Sequence, residues 1–402
     1  MGRERLVVVG NGMAGLKFLE EVLELAPDRF DITVMGAEPE PAYNRVLLSS
    51  LLAGEIAAAD VAMQPRSWYR ERGIVLRTGL AAVRLDCARR DIGLADDSAV
   101  AFDRLVLATG SQPIRLDVPG RHLRGVMVFR TLADVAAIDA AARAQTPAVV
   151  IGGGLLGIEA AHGLARRGVP VTLIHLMDRL MERQLDAEGA RLLEAALEAK
   201  GIQVLLQAQT GAIHGDTAVE SVTLADGRRI PCGLVVMAVG VRPDTALAAA
   251  GGLETKRGIV VDDRLQTSVP HIHAIGECIE HRGGCYGLVE PVYEQARIAA
   301  AAIAGRPASY SGSILATNLK VSGVPVFSAG DFEGSGAEAI VVRDHGTPSY
   351  RKLVLRAGRL AGVVLVGDTD DALWYAQLIR SGAPITAFHE ALAFGQAFAE
   401  AA

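Results

Sequence analysis

An α/β architecture of two doubly wound parallel sheets, with a small α+β domain at the C-terminus, is predicted from three features of the sequence. Short apolar, β-branched runs recur at Leu6–Val9, Ile32–Met35, Leu105–Ala108, Ala148–Ile151, Val171–Ile174, Val235–Val239 and Ile272–Ile275, several followed by helix-like patterns. Strands alternating with helices imply parallel sheets covered on both faces. One strand–loop–helix unit occurs twice, as "VVVGNGMAGLKFLEEV" (Val7–Val22) and "VVIGGGLLGIEAAHGL" (Val149–Leu164). From about Leu319 the pattern changes to strand after strand with Gly-containing turns, and then to a helix N-capped near Thr369 or Asp370 that stops near Gly382.

Composition bounds what such a fold can do. With 402 residues, half of them apolar, the chain can sustain two or three cores. The net charge of −6 is spread without a basic stripe, which argues against nucleic acid as a partner. No apolar run reaches the roughly 18 residues of a membrane span, and "MGRERLVVVG" is too short in its apolar part for a signal peptide, so the chain reads as cytoplasmic. The four cysteines, Cys87, Cys232, Cys278 and Cys285, include no CxxC pair, so no disulfide framework, zinc site or iron–sulfur ligand set is visible. Redox chemistry on this chain requires a borrowed cofactor.

The repeated unit supplies a place for one. In Gly10-Asn11-Gly12-Met13-Ala14-Gly15 the first glycine permits a tight turn, the second lets a pyrophosphate approach the backbone, and the third lets helix and strand pack closely. Unpaired N–H groups at the helix N-terminus then hold the phosphates. Gly152, Gly154, Leu155, Leu156 and Gly157 repeat the arrangement, and two such loops, each between an apolar strand and a helix, imply two Rossmann-like dinucleotide-binding domains.

An acid that grips the adenosine ribose is expected at the end of the second strand of each unit. In "ITVMGAEP" Gly36 takes that place, and Glu38, two residues on, is the candidate; a solvated loop carboxylate is the alternative. In the second unit "VTLIH" ends at His175, with no acid there and Arg179 four residues later. NADH against NADPH is left open by that pair, with NADH slightly preferred.

The paired loops, the "ATG" of Ala108, Thr109 and Gly110, the "VGVRP" containing Gly240, and the "AIGEC" containing Gly276 and Glu277 resemble the two-dinucleotide-binding-domain flavoproteins related to glutathione reductase. The resemblance implies FAD on the first loop and NADH or NADPH on the second, with Glu277 on the ribityl chain of the flavin. Members of that family that reduce disulfides carry cysteines after the first unit. "AYNRVLLSSLLAG" (Ala42–Gly54) has none, which excludes a thiol relay there and leaves electron transfer from flavin to a protein acceptor. The same stretch resembles the ferredoxin- and rubredoxin-reductase branch, which implies Arg45 beside the cofactor; a lysine found there in some members is Ser50 here.

A closer resemblance covers almost the whole chain. "IHLMDRLMERQLD", "GECIEHRGGCYGLVEPVYEQA" (which holds Pro291) and "GRLAGVVLVGDTDDALWYAQLIRSG" are similar to the flavin half of siroheme nitrite reductase large subunits and to electron-transfer subunits of assimilatory nitrate reductases. It implies an NAD(P)H-dependent FAD oxidoreductase whose acceptor is a nitrate or nitrite reductase catalytic subunit or a small iron–sulfur protein. A freestanding ferredoxin or rubredoxin reductase and a non-catalytic redox sensor are the alternatives, and association into an oligomer is compatible with all three. The likeness ends at "AFGQAFAEAA", and without cysteine clusters the chain is not expected to reduce nitrite alone. The domains implied are FAD-binding at 1–115 and 246–318, NAD(P)H-binding at 116–245, and a C-terminal interface domain at 319–402.

In relatives the residue at Glu159 reaches toward the nicotinamide carboxamide, which makes it the catalytic candidate; an acid placed for the helix dipole is the alternative. Trp374 and Tyr375 are compatible with a docking surface or with a core. His162, His175, His271, His273, His281 and Glu280 show no metal-ligand spacing, and "RLMERQLDAEGARLLEAALEAKG" reads as one amphipathic helix with a solvated face.

Overall fold

The computed structural model describes residues 2–313, 316–321, 323–344 and 346–401, so the expected domain end at Ala402 lies outside the described residues. The chain divides into two compact units, Met1–Leu47 with Ala57–Gln112 and Val241–Ser313, and Leu48–Ile56 with Pro113–Gly240 and Ile314–Ala402.

In the first unit Glu4–Val9 is the middle of a five-stranded parallel sheet. Phe30–Gly36 and then Val75–Thr78 lie on one side, Arg104–Leu107 and then Ile272–Ala274 on the other. Leu6, Val7 and Val8 are at most 1% exposed because helices cover both faces, which is why the strand reads as an unbroken apolar run. The chain leaves Val9 toward one side of the sheet and returns on the other, so the strand order reverses where the first glycine loop stands. A crevice at the carboxyl end of such a switch point is where open α/β sheets bind ligands. The helix Met13–Leu25 packs against Val289–Ile303, and a three-stranded antiparallel sheet of Ala82–Asp86, Asp91–Leu94 and Ala99–Ala101 completes the unit.

The second unit repeats the plan. Ala148–Ile151 lies between Val171–Ile174 and Leu234–Met237, with Ile202–Leu205 and Val126–Val128 at the edges, and Thr210–His214, Ser221–Leu224 and Arg229–Pro231 form its own antiparallel trio. The short helix Leu48–Leu52 belongs here, packed on Leu155–Arg166 and Leu132–Ala142.

The C-terminal portion of this unit is a five-stranded antiparallel sheet ordered Ala316–Val321, Val324–Gly330, Arg359–Val366, Ser349–Arg356, Glu338–Asp344, with the helix Ala372–Ser381 against it. That helix is N-capped by Asp371, one residue beyond the expected start, and stops at Gly382, whose φ of 58° is the left-handed stop expected of glycine. Tyr375 is fully buried, and Trp374 packs against the same core, so these aromatics are core residues rather than a docking face. Among the described residues no helix is long and apolar enough to cross a membrane.

Candidate nucleotide-binding sites

Both glycine loops have the same local geometry. Gly10 and Gly152 have φ of 114° and 118°, and a Cβ on either would lie 2.0 Å from the Ala108 carbonyl oxygen or 2.3 Å from that of Ala238. A Cβ on Gly15 would meet the Gly10 carbonyl oxygen at 2.1 Å, and one on Gly157 would meet that of Gly152 at 1.8 Å. The third glycine therefore folds the loop onto its own first residue. Gly12 and Gly154 differ from all four, since a Cβ there would meet nothing within 4 Å. Only the central position of each loop faces open space.

The helices that follow are left ready for an anion. Gly12 and Gly154 are the N-caps of Met13–Leu25 and Leu155–Arg166, and neither helix has a side-chain cap bond or an acid in its first turn. Elsewhere in the second unit Thr131 and Asp134 close a capping box and Asp186 caps the Gly189 N–H. Free N–H groups and the positive end of the helix dipole, beside an open glycine, fit a pyrophosphate in both units. Asn11 Nδ2, buried in the first loop without a partner among the described residues while its Oδ1 accepts from Tyr69 Oη at 3.1 Å, is a further polar atom suited to a ligand.

Around the first loop the sequence candidates come together. Glu38 accepts from Tyr43 Oη at 2.6 Å and from the Arg45 guanidinium; Arg45 also donates to Tyr43 Oη at 2.8 Å. Glu38 is thus a neutralised member of a Glu–Tyr–Arg cluster rather than a solvated loop acid, and Tyr43 is the member that sequence reasoning missed. Met13 and Ala14 open the helix, and Ala14 lies 3.1 Å from where a Cβ of Gly276 would be. Thr109 donates to the Asp244 carbonyl at 2.7 Å, next to Gly110, whose carbonyl accepts from the Asp244 N–H. Glu277 accepts from Ser111 Oγ at 2.9 Å, the Gly276 N–H bonds to buried Gln295, and Pro291 is buried in the first turn of Val289–Ile303.

Cys278, beside Glu277, is fully buried, and burial pushes its thiol up, so it is a packing residue and not a nucleophile. His273 is buried within its strand and pushed down to about 4, chiefly by desolvation, hence neutral; Glu280 accepts from the Arg257 and Gly258 N–H groups. Among the described residues no cluster of His, Cys, Asp and Glu could hold a metal ion.

Around the second loop two expectations change. The helix begins at Leu155, so Glu159 sits in its second turn, beyond the reach of the dipole. Its carboxyl is raised from the usual carboxylate range to about 7 by burial, partly offset by a hydrogen bond with Ser49. Secondly, "RLMERQLD" is not helical: the helix is confined to Ala187–Glu198, because Asp186 caps it. The residues before it wrap the glycine loop, with Leu180, Met181 and Leu185 fully buried, and the Met181 N–H bonds to the Gly153 carbonyl at 2.9 Å.

His175 is buried and held from two sides. The Gly153 N–H donates to its Nδ1 at 3.0 Å, and its Nε2 lies 3.1 Å from Glu182 Oε2. A Cβ on Gly153 would come within 2.6 Å of the His175 ring, which accounts for a glycine outside the GxGxxG pattern. Gly240, with φ of 114°, accepts from the Ile114 N–H.

Comparison with known proteins identifies the family. Residues 4–304 match the pyridine nucleotide-disulphide oxidoreductase family and residues 316–383 the rubredoxin NAD+ reductase C-terminal domain. The chain is 47% identical over 388 residues to a nitrite reductase [NAD(P)H] of Bacillus subtilis, covering 96% of this chain and 48% of that protein. It is 42% identical over 373 residues to an assimilatory nitrate reductase electron transfer subunit of the same organism, covering 92% of this chain and 48% of that protein. It therefore spans about half the length of both. The structure of a ferredoxin reductase from Rhodopseudomonas palustris superposes with a TM-score of 0.90 at 27% identity, covering 98% of each chain. The chain thus belongs to the pyridine nucleotide-disulphide oxidoreductase family.

Proposed function

We propose that this chain carries electrons from a nicotinamide dinucleotide, with NADH ahead of NADPH, to the catalytic part of an assimilatory nitrate or nitrite reductase. FAD, when bound, accepts the two electrons of a hydride and releases them singly, which converts a two-electron donor into a one-electron source. The protein supplies position. Gly10, Gly12 and Gly15 with the free N–H groups of Met13, Ala14 and the turn after them hold one pyrophosphate, Glu38 and Arg45 the adenosine end, and Gly276, Glu277 and Pro291 the ribityl side. Ala108, Thr109 and Gly110 line the same cradle. Gly152, Gly154, Leu155, Leu156 and Gly157 hold the second dinucleotide, His175 lies at its adenosine end, Gly240 at its border, and Glu159 on the nicotinamide side.

The reading rests chiefly on one observation: two loops of the same geometry, each opening only at its central glycine onto an uncapped helix. A chain with two dinucleotide cradles and no cysteine in Ala42–Gly54 has hydride transfer between nucleotides as its natural chemistry. The 319–402 stretch is assigned to partner contact and the location to the cytoplasm. A second reading, a freestanding ferredoxin reductase, is favoured by the Rhodopseudomonas palustris enzyme matching this chain end to end.

The test is anaerobic reduction of the FAD-loaded protein by NADH, followed by reoxidation with each acceptor. Rapid bleaching, then rapid recovery with a nitrate or nitrite reductase catalytic subunit, supports the proposal. Rapid recovery only with a small ferredoxin supports the second reading. A yellow protein that neither nicotinamide bleaches sinks both.

A further inference from the structure

The second cradle lacks an acid at the end of its second strand, and the structure supplies one from elsewhere. His175, in the place where a ribose-binding acid is expected, has its ring fixed by the Gly153 N–H on Nδ1, so the ring proton sits on Nε2 and is donated to Glu182 Oε2 at 3.1 Å. Glu182 reaches that spot because Leu180 and Met181 are buried against the loop, Met181 in a left-handed conformation with φ of 50°. Its other oxygen, Oε1, accepts no hydrogen bond among the described residues, and the side chain keeps 25% of its exposure.

We propose that Glu182, positioned by His175, takes the ribose hydroxyls of the adenosine and thereby makes the second site select NADH over NADPH. This rests on the reading of Gly152–Gly157 as a nicotinamide dinucleotide cradle. A carboxylate accepts from a free 2′-hydroxyl and repels a 2′-phosphate, whose recognition calls for an arginine. Arg179, four residues after His175, is engaged: it donates to the Leu185 carbonyl at 3.2 Å and to Glu333 at 2.5 Å, and lies 3.6 Å from Asp178. The residues after His175 are the exposed apolar Leu176 and Met177. Arg183, next to Glu182 in the chain, is exposed and is the cation tested for a 2′-phosphate.

Equilibrium binding of NAD+ and NADP+ to the FAD-loaded protein, by calorimetry, reads the claim without turnover. NAD+ is expected to bind at least about tenfold more tightly than NADP+, the scale of one hydrogen bond to a charged group. Glu182→Gln keeps the shape and removes the charge, and is expected to weaken NAD+ several-fold while tightening NADP+, narrowing the ratio about tenfold or more. Equal affinities in the parent protein, an unchanged ratio in Glu182→Gln, or a preference for NADP+ that Arg183→Ala removes would each overturn the inference alone. Gly154→Val separates this from the underlying reading. If neither dinucleotide binds the parent protein, or if NAD+ binding is untouched by that change, the cradle itself is misassigned and the inference goes with it.

Discussion

The two glycine loops share one backbone geometry, and the acids held beside them differ. At the first, Glu38 is neutralised by Arg45 and bonded to Tyr43, so the acid arrives with a counter-charge. At the second, a buried imidazole holds Glu182, and among the described residues no arginine is bonded to either. Phosphate recognition is backbone work and tolerates duplication without change; recognition of what hangs from the phosphates is side-chain work and diverges. The comparison can be broken at both levels.

The largest effects are expected within the loops. Gly15→Ala and Gly157→Ala place a Cβ at 2.1 and 1.8 Å from a carbonyl oxygen, a clash relieved only by moving backbone. Each should cost about 3 kcal/mol or more and lower the unfolding midpoint of the protein. Gly12→Val and Gly154→Val put the Cβ where nothing lies within 4 Å, so stability should hold to within about 1 kcal/mol while FAD, or the nicotinamide dinucleotide, is lost. Denaturant titration beside flavin absorbance and calorimetry reads the two losses separately. Should the central-glycine variants unfold as readily as the others, the central positions are packing positions and the shared cradle is an artefact of shape.

Glu159 distinguishes the second unit by its charge state. Its carboxyl is raised from 4.5 to about 7 in the folded chain, mainly by burial. Between those values the folded protein holds a proton that the unfolded chain has released, so stability is fully present below pH 4.5 and falls as pH climbs to about 7, then levels. The loss amounts to at most about 3 kcal/mol across that window, less to the extent that water reaches the carboxyl. Glu159→Gln should flatten this segment of the pH–stability curve and be the more stable protein at pH 8. An unaltered slope would mean the carboxyl ionises freely in the fold.

Next in size is Arg45→Ala, which strips the cation from Glu38 and breaks the Glu–Tyr–Arg cluster beside the first loop. FAD affinity should drop about ten- to a hundredfold, as expected for losing a charge-assisted bond, with NAD+ binding to the flavin-loaded protein unchanged. Equal retention of FAD by the variant and the parent on dilution would remove Arg45 and Glu38 from the cofactor site.

Much of this was legible in the chain itself, and the exceptions have causes. The buried parallel strands at Leu6, Ile32, Leu105, Ala148, Val171, Val235 and Ile272 stood out because burial on both faces leaves unbroken apolar runs. Val75–Thr78 and Val126–Val128 did not, since they are short edge strands of four and three residues in which only Val128 is buried. The segment before Asp186 read as helix because Leu180, Met181 and Leu185 fall at helical spacing; their burial instead serves the loop they wrap. Gly153, Tyr43 and Glu182 were invisible for a related reason. Each acquires its role from a partner brought near by the fold, and no motif spacing announces that.

The smallest effect tests what the second unit has and the first lacks, a C-terminal sheet fastened to the nucleotide-binding layer. Tyr350, buried in the strand Ser349–Arg356, donates its hydroxyl to Asp186 Oδ2 at 2.7 Å, while Lys352 Nζ lies 3.2 Å from that oxygen. Burial and the neighbouring carboxylate both push the phenol up, so it stays protonated and is a permanent donor. Asp186 has a second duty, since its Oδ1 caps the helix Ala187–Glu198 through the Gly189 N–H. Tyr350→Phe removes one donor of three and leaves the cap and the lysine, so the expected cost is about 1 kcal/mol, seen as a small fall in the denaturant midpoint. Asp186→Ala removes the cap and strands both partners, and should cost about 3 kcal/mol. If the two substitutions cost the same, the hydroxyl rather than the cap is what holds Asp186 in place, and the sheet is fastened through Tyr350 alone.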